Sequence, residues 1–129
     1  MLFDFQKILK SFSYAFNGII SAIKSEQNLR IHIVAAIFVI ITGFYLSFSA
    51  ERWGIVIVSI FFVFVSELWN TAIEKLCNKI SNGEKSKDIG IIKDISAGSV
   101  FLSALSALII GIIFIVIPLV KKIMNIILK

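Results

Sequence analysis

Glu67, Asn70 and Glu74 stand three and then four residues apart in the stretch Ser66-Glu67-Leu68-Trp69-Asn70-Thr71-Ala72-Ile73-Glu74. On a helix that spacing lines them along one face. They follow Ile55–Val65, an apolar run whose only polar residue is Ser59. Two acids and an amide at the end of a membrane-length helix are costly to keep, and polar groups at such a depth are functional candidates. Carboxylates with an amide suit a hard cation such as Mg²⁺, which takes oxygen ligands and shares them with phosphates. A remaining carboxylate can accept a proton from a nucleophile, and Lys93 can answer phosphate charge. The chemistry this set suits is phosphoryl transfer at a membrane surface. The same spacing also suits a polar interfacial ring that fixes helix register and orientation, and spacing alone does not separate the two.

The rest of the chain supplies a membrane context. Its 129 residues are enough for one domain. They are 58% hydrophobic, with a mean hydropathy of +0.97, well above the roughly 45–50% apolar content of soluble domains. A soluble fold of this size could not hide so much apolar surface, so the expected solvent is a bilayer. The formal charge of +5 then points to cytoplasmic loops and anionic lipid headgroups, not to nucleic acid. A single cysteine, Cys77, excludes an internal disulfide and reads as a small interfacial hydrophobe. A secretory signal is not expected, because the first long apolar run begins near residue 29.

The pattern predicts an all-α membrane protein, with an N-terminal amphipathic surface helix and three transmembrane helices in one domain spanning 1–129. Phe5, Ile8, Leu9, Phe12, Phe16, Ile19, Ile20 and Ile23 follow helical spacing, while Lys7, Lys10, Tyr14, Asn17 and Lys24 fall mostly opposite. This basic amphipathic helix, within a surface helix and linker over 1–28, is expected in the headgroup plane. The spans are predicted at 29–48, 53–80 and 95–120. About twenty residues at 1.5 Å rise cover roughly 30 Å, the hydrocarbon thickness. Ser49-Ala50-Glu51-Arg52 reads as a tight turn, Asn82-Gly83 as another, and 81–90 as a polar loop. Pro118 is placed near the far end of the third span, closed by Lys121 and Lys122. Arg30 and His32 sit where side chains reach the interface, and His32 reads as an interfacial hydrogen-bonding group. Ser96, Ser99, Ser103 and Ser106, with nearby Ala and Gly, read as a helix-packing seam, a lipid groove being the alternative.

Three spans put the ends on opposite sides. Lys7, Lys10, Lys24, Arg30, Lys75, Lys79, Lys85, Lys87 and Lys93 fall on one side, against Arg52, Lys121, Lys122 and Lys129 on the other. The positive-inside rule places the first group, with the N-terminus, in the cytoplasm. Glu26, Glu67, Glu74 and Asp94 then share the cytoplasmic face. Other chemistries find less support. Gly83-Glu84-Lys85-Ser86 lacks the first glycine and the strand of a P-loop. There is no Cys/His cluster for zinc, no Ser/His/Asp set and no protein-kinase motif. The spans also lack the internal ionisable residues of a transporter away from the cytoplasmic end.

Glu67-Leu68-Trp69-Asn70-Thr71-Ala72-Ile73-Glu74, followed by Lys93-Asp94-Ile95-Ser96-Ala97-Gly98, resembles the signature of the prokaryotic diacylglycerol kinase and undecaprenol kinase family. Glu26, Asn28, Arg30, Ile31 and His32 match the family's approach to the first span, so the resemblance covers nearly the whole chain. It implies a small integral-membrane lipid kinase of the bacterial inner membrane. Such a protein would be a homotrimer with active sites shared between protomers near the cytoplasmic face, using Mg²⁺ and ATP to phosphorylate a lipid alcohol. It further implies Glu67 as general base on the lipid hydroxyl, Asn70 as its support, and Glu26 and Glu74 as ligands of the metal that bridges the ATP phosphates. Lys93 and Asp94 would contact the nucleotide, Lys7 and Tyr14 would approach nucleotide or lipid, and Asn28 and Arg30 would line the lipid entrance. Undecaprenol is the expected substrate, because the Asn-Thr-Ala-Ile-Glu-Lys and Ser-Ala-Gly-Ser forms look closer to that branch; diacylglycerol is the alternative.

The sequence departs from the family at Asn78, often Asp, at Lys7, often Arg, and in the 81–90 loop, which puts nucleotide contacts from Gly83, Glu84 and Lys85 in doubt. A catalytically silent membrane interaction protein with the same fold is the remaining reading. The intact Glu26, Glu67, Asn70, Glu74, Lys93 and Asp94 argue against it.

Overall fold

The computed structural model describes residues 4–82, 84 and 86–128; Gly83 and Lys85, doubtful as nucleotide contacts, lie outside them. The described elements are helices: α1 (Phe5–Ser25), α2 (Gln27–Tyr45), α3 (Ala50–Ser81), α4 (Lys87–Gly111) and α5 (Ile117–Ile127), the last two joined by a π-helical turn, Ile112–Val116. Three helical stretches are long and apolar enough to cross a membrane: Gln27–Tyr45, Ala50–Ser81 and Lys87–Ile127. The expected all-α architecture of a surface helix and three spans is therefore present.

α1 begins where Asp4 Oδ1 accepts a hydrogen bond from the Lys7 backbone N–H at 3.2 Å, an N-cap that satisfies one free amide. Its apolar positions Phe5, Leu9, Phe12 and Phe16 are exposed, and only Ala22 is fully buried. A helix with an apolar face left outside the protein core is what a headgroup-plane helix requires. α1 ends at Glu26, whose extended backbone (φ −104°, ψ 120°) breaks the helix before α2 starts. Arg30 reaches back from α2 to donate to the carbonyls of Ile23 and Lys24, both at 3.0 Å. It thereby caps the orphan carbonyls and negative dipole end of α1 and fixes the elbow.

The first turn of the bundle lies earlier than expected. α2 stops at Tyr45, not near residue 48, and Ser49 caps α3, so 50–52 form the first turn of a helix. Ser47 takes the left-handed conformation at φ 53°. That bend swings Phe48 into the core, where it packs with Val56 and Ile115. Trp53 meets Phe44 and Phe48 at ring separations of 4.9 and 5.5 Å. The cluster needs a missing side chain at Gly43: a Cβ there would lie 2.9 Å from Trp53 Cη2 and 3.1 Å from Phe48 Cδ2.

The third span also differs. The helix starts at Lys87, inside the expected 81–90 loop, and runs 41 residues to Ile127, well past 95–120 at both ends. Pro118 does not end it. Proline lacks an N–H and its ring clashes with the carbonyl four residues back. Here the backbone widens ahead of it, and the Ile117 N–H bonds to Ile112 O, five residues back. Lys122 then folds back on α2, its Nζ donating to Tyr45 O at 3.2 Å and lying 4.0 Å over the Tyr45 ring.

α3 and α4 form the main helix pair, and their seam uses half of the serine stripe. Ser103 is 1% exposed and its hydroxyl lies 2.6 Å from that of Ser66. Ser96 is also buried, whereas Ser99 and Ser106 are exposed and bond carbonyls of their own helix. Seven residues separate the two seam serines, two helical turns that keep them facing α3. Cys77 is buried, as a small hydrophobe would be. Replacing Gly43 by Val should lower stability by about 1–3 kcal/mol through overpacking against rigid rings. Resistance to denaturant, followed by tryptophan fluorescence in micelles, checks this; an unchanged midpoint would show that Trp53 and Phe48 do not pack on Gly43.

Candidate functional site

The apolar part of α3 delivers Glu67 to one end of the hydrocarbon layer. Seventeen residues beyond Ala50 place it about 26 Å along the helix, so the next turns emerge toward headgroups. Ser66, Glu67, Asn70 and Thr71 are all buried on this face, Glu67 to 2% exposure. Glu74, one turn further, is half-buried, and Asn78 beyond it is exposed. The face thus runs from dry to wet in the order Glu67, Asn70, Glu74, Asn78.

A buried carboxylate needs a partner. The one the structure supplies is His32 of α2, whose Nε2 lies 3.2 Å from Glu67 Oε1. Oε1 has no hydrogen bond of good geometry, but the contact places the imidazole nitrogen within donor reach of it. Glu26 and Glu74 act on the same carboxylate as like charges. Asn70 Nδ2 donates to Glu74 Oε1 at 3.3 Å, which leaves Asn70 Oδ1 buried with no partner. The Asn70 amide therefore supports Glu74 directly; its expected support of Glu67 is limited to sharing the face. Glu26 occupies the α1–α2 elbow, half-buried, and its carboxylate makes no capping bond although it stands at the N-cap position of α2. A side chain kept off the helix end is available for another ligand.

Lys93 is held by a 2.6 Å hydrogen bond from its Nζ to Asn78 Oδ1. The ammonium thus stands one turn beyond Glu74, at the wet end of the α3 face. The departure at Asn78 matters here, because a neutral amide fixes Lys93 without neutralising it. Asp94, Asn28 and Arg30 are exposed. The Arg30 guanidinium serves the end of α1, a role the sequence reading did not foresee. Lys7 and Tyr14 are exposed on the outer part of α1, and the structure does not bring them to the acids. Facing the acid stretch, the later turns of α1 and α3 leave a groove of about 510 Å³ that includes Ala15, Gly18, Ala22, Leu68, Thr71 and Lys75.

Among the described residues, no three His, Cys, Asp or Glu side chains gather as a metal-holding group. The donor set nevertheless suits Mg²⁺. It offers hard oxygens, two half-buried carboxylates in Glu26 and Glu74, and a buried Asn70 oxygen without a partner. Mg²⁺ is commonly held by one or two carboxylates and completed by waters and substrate phosphates, so a closed cage of protein ligands is not required.

Sequence reasoning placed Glu67, Asn70 and Glu74 on one face and missed two partners. In the sequence, His32 has the look of an interfacial group and Asn78 that of a departure from the family pattern. Both contacts join residues on different helices, and no local signal specifies the register that pairs them.

The family described as prokaryotic diacylglycerol kinase matches residues 13–115, a stretch that contains the whole acid face but not Lys7. An undecaprenol kinase of Bacillus subtilis (strain 168) is 34% identical over 111 residues, covering 85% of this chain and 89% of that protein. A diacylglycerol kinase of Synechocystis sp. is 32% identical over 105 residues, covering 81% of this chain and 59% of that protein. A diacylglycerol kinase of Helicobacter pylori is 32% identical over 71 residues, 55% of this chain and 56% of that protein. The family match over residues 13–115 and the 34% identity across most of both chains show that this membrane protein is a lipid kinase, a member of the prokaryotic diacylglycerol kinase family.

Proposed function

We propose that this lipid kinase transfers the γ-phosphate of Mg-ATP to the hydroxyl of undecaprenol at the cytoplasmic face of the bacterial inner membrane. The observation that carries the proposal is Glu67, a carboxylate 2% exposed at the edge of the apolar layer, with an oxygen-donor set one to two turns further toward water. A lipid hydroxyl resides at that edge while its hydrocarbon stays in the bilayer. Undecaprenol is favoured over diacylglycerol because the undecaprenol kinase matches over most of both chains, at 34% identity. The excess of Lys and Arg on the N-terminal side supports the cytoplasmic placement.

In the reaction, Glu67 accepts the lipid hydroxyl proton as the oxygen attacks the γ-phosphorus, and the bond to the departing ADP oxygen breaks. Glu26 and Glu74 would hold Mg²⁺, with Asn70 fixing the Glu74 carboxylate through its 3.3 Å bond. The ion held by these side chains would supply charge neutralisation for the phosphates. Lys93, tethered by Asn78, would face the polyphosphate, with Asp94, Lys7 and Tyr14 completing the nucleotide site. Asn28 and Arg30 would flank the lipid entrance. The family resemblance further suggests a homotrimer with sites shared between protomers.

Purified protein in bilayers, given labelled ATP, Mg²⁺ and either lipid, should phosphorylate undecaprenol faster than diacylglycerol. Faster transfer to diacylglycerol would reverse the substrate assignment, and transfer to neither lipid would overturn the proposal. Glu67→Gln should reduce turnover by about 100-fold or more while the protein stays folded, the scale of a lost general base. Glu74→Ala and Glu26→Ala should each raise the Mg²⁺ concentration giving half-maximal rate; an unchanged Mg²⁺ titration in both would remove them as ligands.

A further inference from the structure

His32 touches both the buried acid and an apolar groove on the hydrocarbon side of the site. Its Nε2 lies 3.2 Å from Glu67 Oε1, with the imidazole about a quarter exposed and the carboxylate 2% exposed. On its other side it lines a groove of about 340 Å³ between α2, α3, α4 and the π-helical turn, whose walls include Ala35, Val63, Ala104, Ala107 and Ile115. His32 is the only titratable side chain among the residues lining that groove. The walls are apolar and the small residues of α4 hollow them out, so the chemistry the groove accepts is hydrocarbon. A chain lying in it would present its polar end to His32 and Glu67.

Glu67 also has a geometric need. Its side chain turns about three bonds, Oε1 has no aligned hydrogen bond, and Glu26 and Glu74 surround it with like charge. The only cation-capable group that the described residues place in contact with it is His32. A base must be held in reach of its proton, and small misplacements cost rate.

We propose that His32 is the positioning residue of the base. It holds Glu67 Oε1 so that the second carboxylate oxygen meets the lipid hydroxyl, and it closes the polar end of the groove that receives the lipid's hydrocarbon. The inference rests on Glu67 being the base. The proton path is unchanged: hydroxyl proton to Glu67, oxygen lone pair to phosphorus, bonding pair to ADP. His32 fixes the acceptor and takes no part in the covalent step.

The test uses the full-length protein in bilayers, with Mg-ATP and whichever of the two lipid alcohols it phosphorylates faster. His32→Ala should lower kcat by about tenfold or more and leave KM for ATP within about twofold, because the nucleotide end is untouched. His32→Gln, which keeps an N–H donor near the position of Nε2, should recover most of the rate. In a Glu67→Gln background, His32→Ala should reduce the residual rate no further, since a residue acting through Glu67 has nothing left to position. Wild-type kcat in His32→Ala, a His32→Gln no better than Ala, or additive losses in the double variant would each overturn the proposal. If His32→Ala does not fold, His32→Leu, which fills the site without an N–H donor, takes its place under the same criteria, alone and in the Glu67→Gln background. Wild-type turnover in Glu67→Gln alone would instead refute the underlying assignment of the base.

Discussion

The structure depends on keeping one carboxylate buried at the edge of an apolar layer. Removing an ion from water costs several kcal/mol even after relaxation, and Glu67 is 2% exposed. The compensating contact comes from His32 on another helix, so the register of α2 against α3 is part of the site. That register is set at the far end of the bundle, where Ser47 turns the chain and Phe48 and Trp53 lock against Gly43. On the other flank, the Ser66–Ser103 hydroxyl contact ties α4 to the residue next to Glu67. In hydrocarbon such a polar contact and small-residue packing substitute for the hydrophobic effect, which does not drive helices together there.

The face of α3 sorts chemistry by depth. In the proposed reaction, Glu67 would meet a lipid hydroxyl that has not left the membrane. Asn70 and Glu74 stand at the boundary, tied to each other. Asn78 and Lys93 stand where polyphosphate remains hydrated. Phosphoryl transfer asks for positioning and charge neutralisation more than for covalent help, and a single helix crossing the interface provides an ordered series of groups for it. The elbow at Glu26 adds a carboxylate from another direction, held there by the Arg30 cap on α1.

Much of this was legible in the sequence, for specific reasons. Long apolar runs mark spans because lipid tolerates little else, and the Glu67–Asn70–Glu74 spacing marks one helical face. The roles proposed for these residues rest on the family resemblance, since spacing alone leaves them interchangeable. The third helix was misjudged because Pro118 and the lysine pair look like a stop, whereas a π-helical turn absorbs the proline and the helix continues to Ile127. The serine stripe was over-read: periodicity marks four residues, but only Ser96 and Ser103 are buried. His32 and Asn78 escaped notice as partners because contacts between helices follow from packing register, which no short stretch encodes.

All of this requires that Glu67 be buried against His32 in the membrane-embedded protein. A solid-state NMR distance between His32 Nε2 and the Glu67 carboxylate carbon in bilayers tests it most directly. Strong dipolar coupling, corresponding to direct contact as in the 3.2 Å approach, is the predicted result. The absence of coupling, with Glu67 exchanging freely with water, would contradict the account.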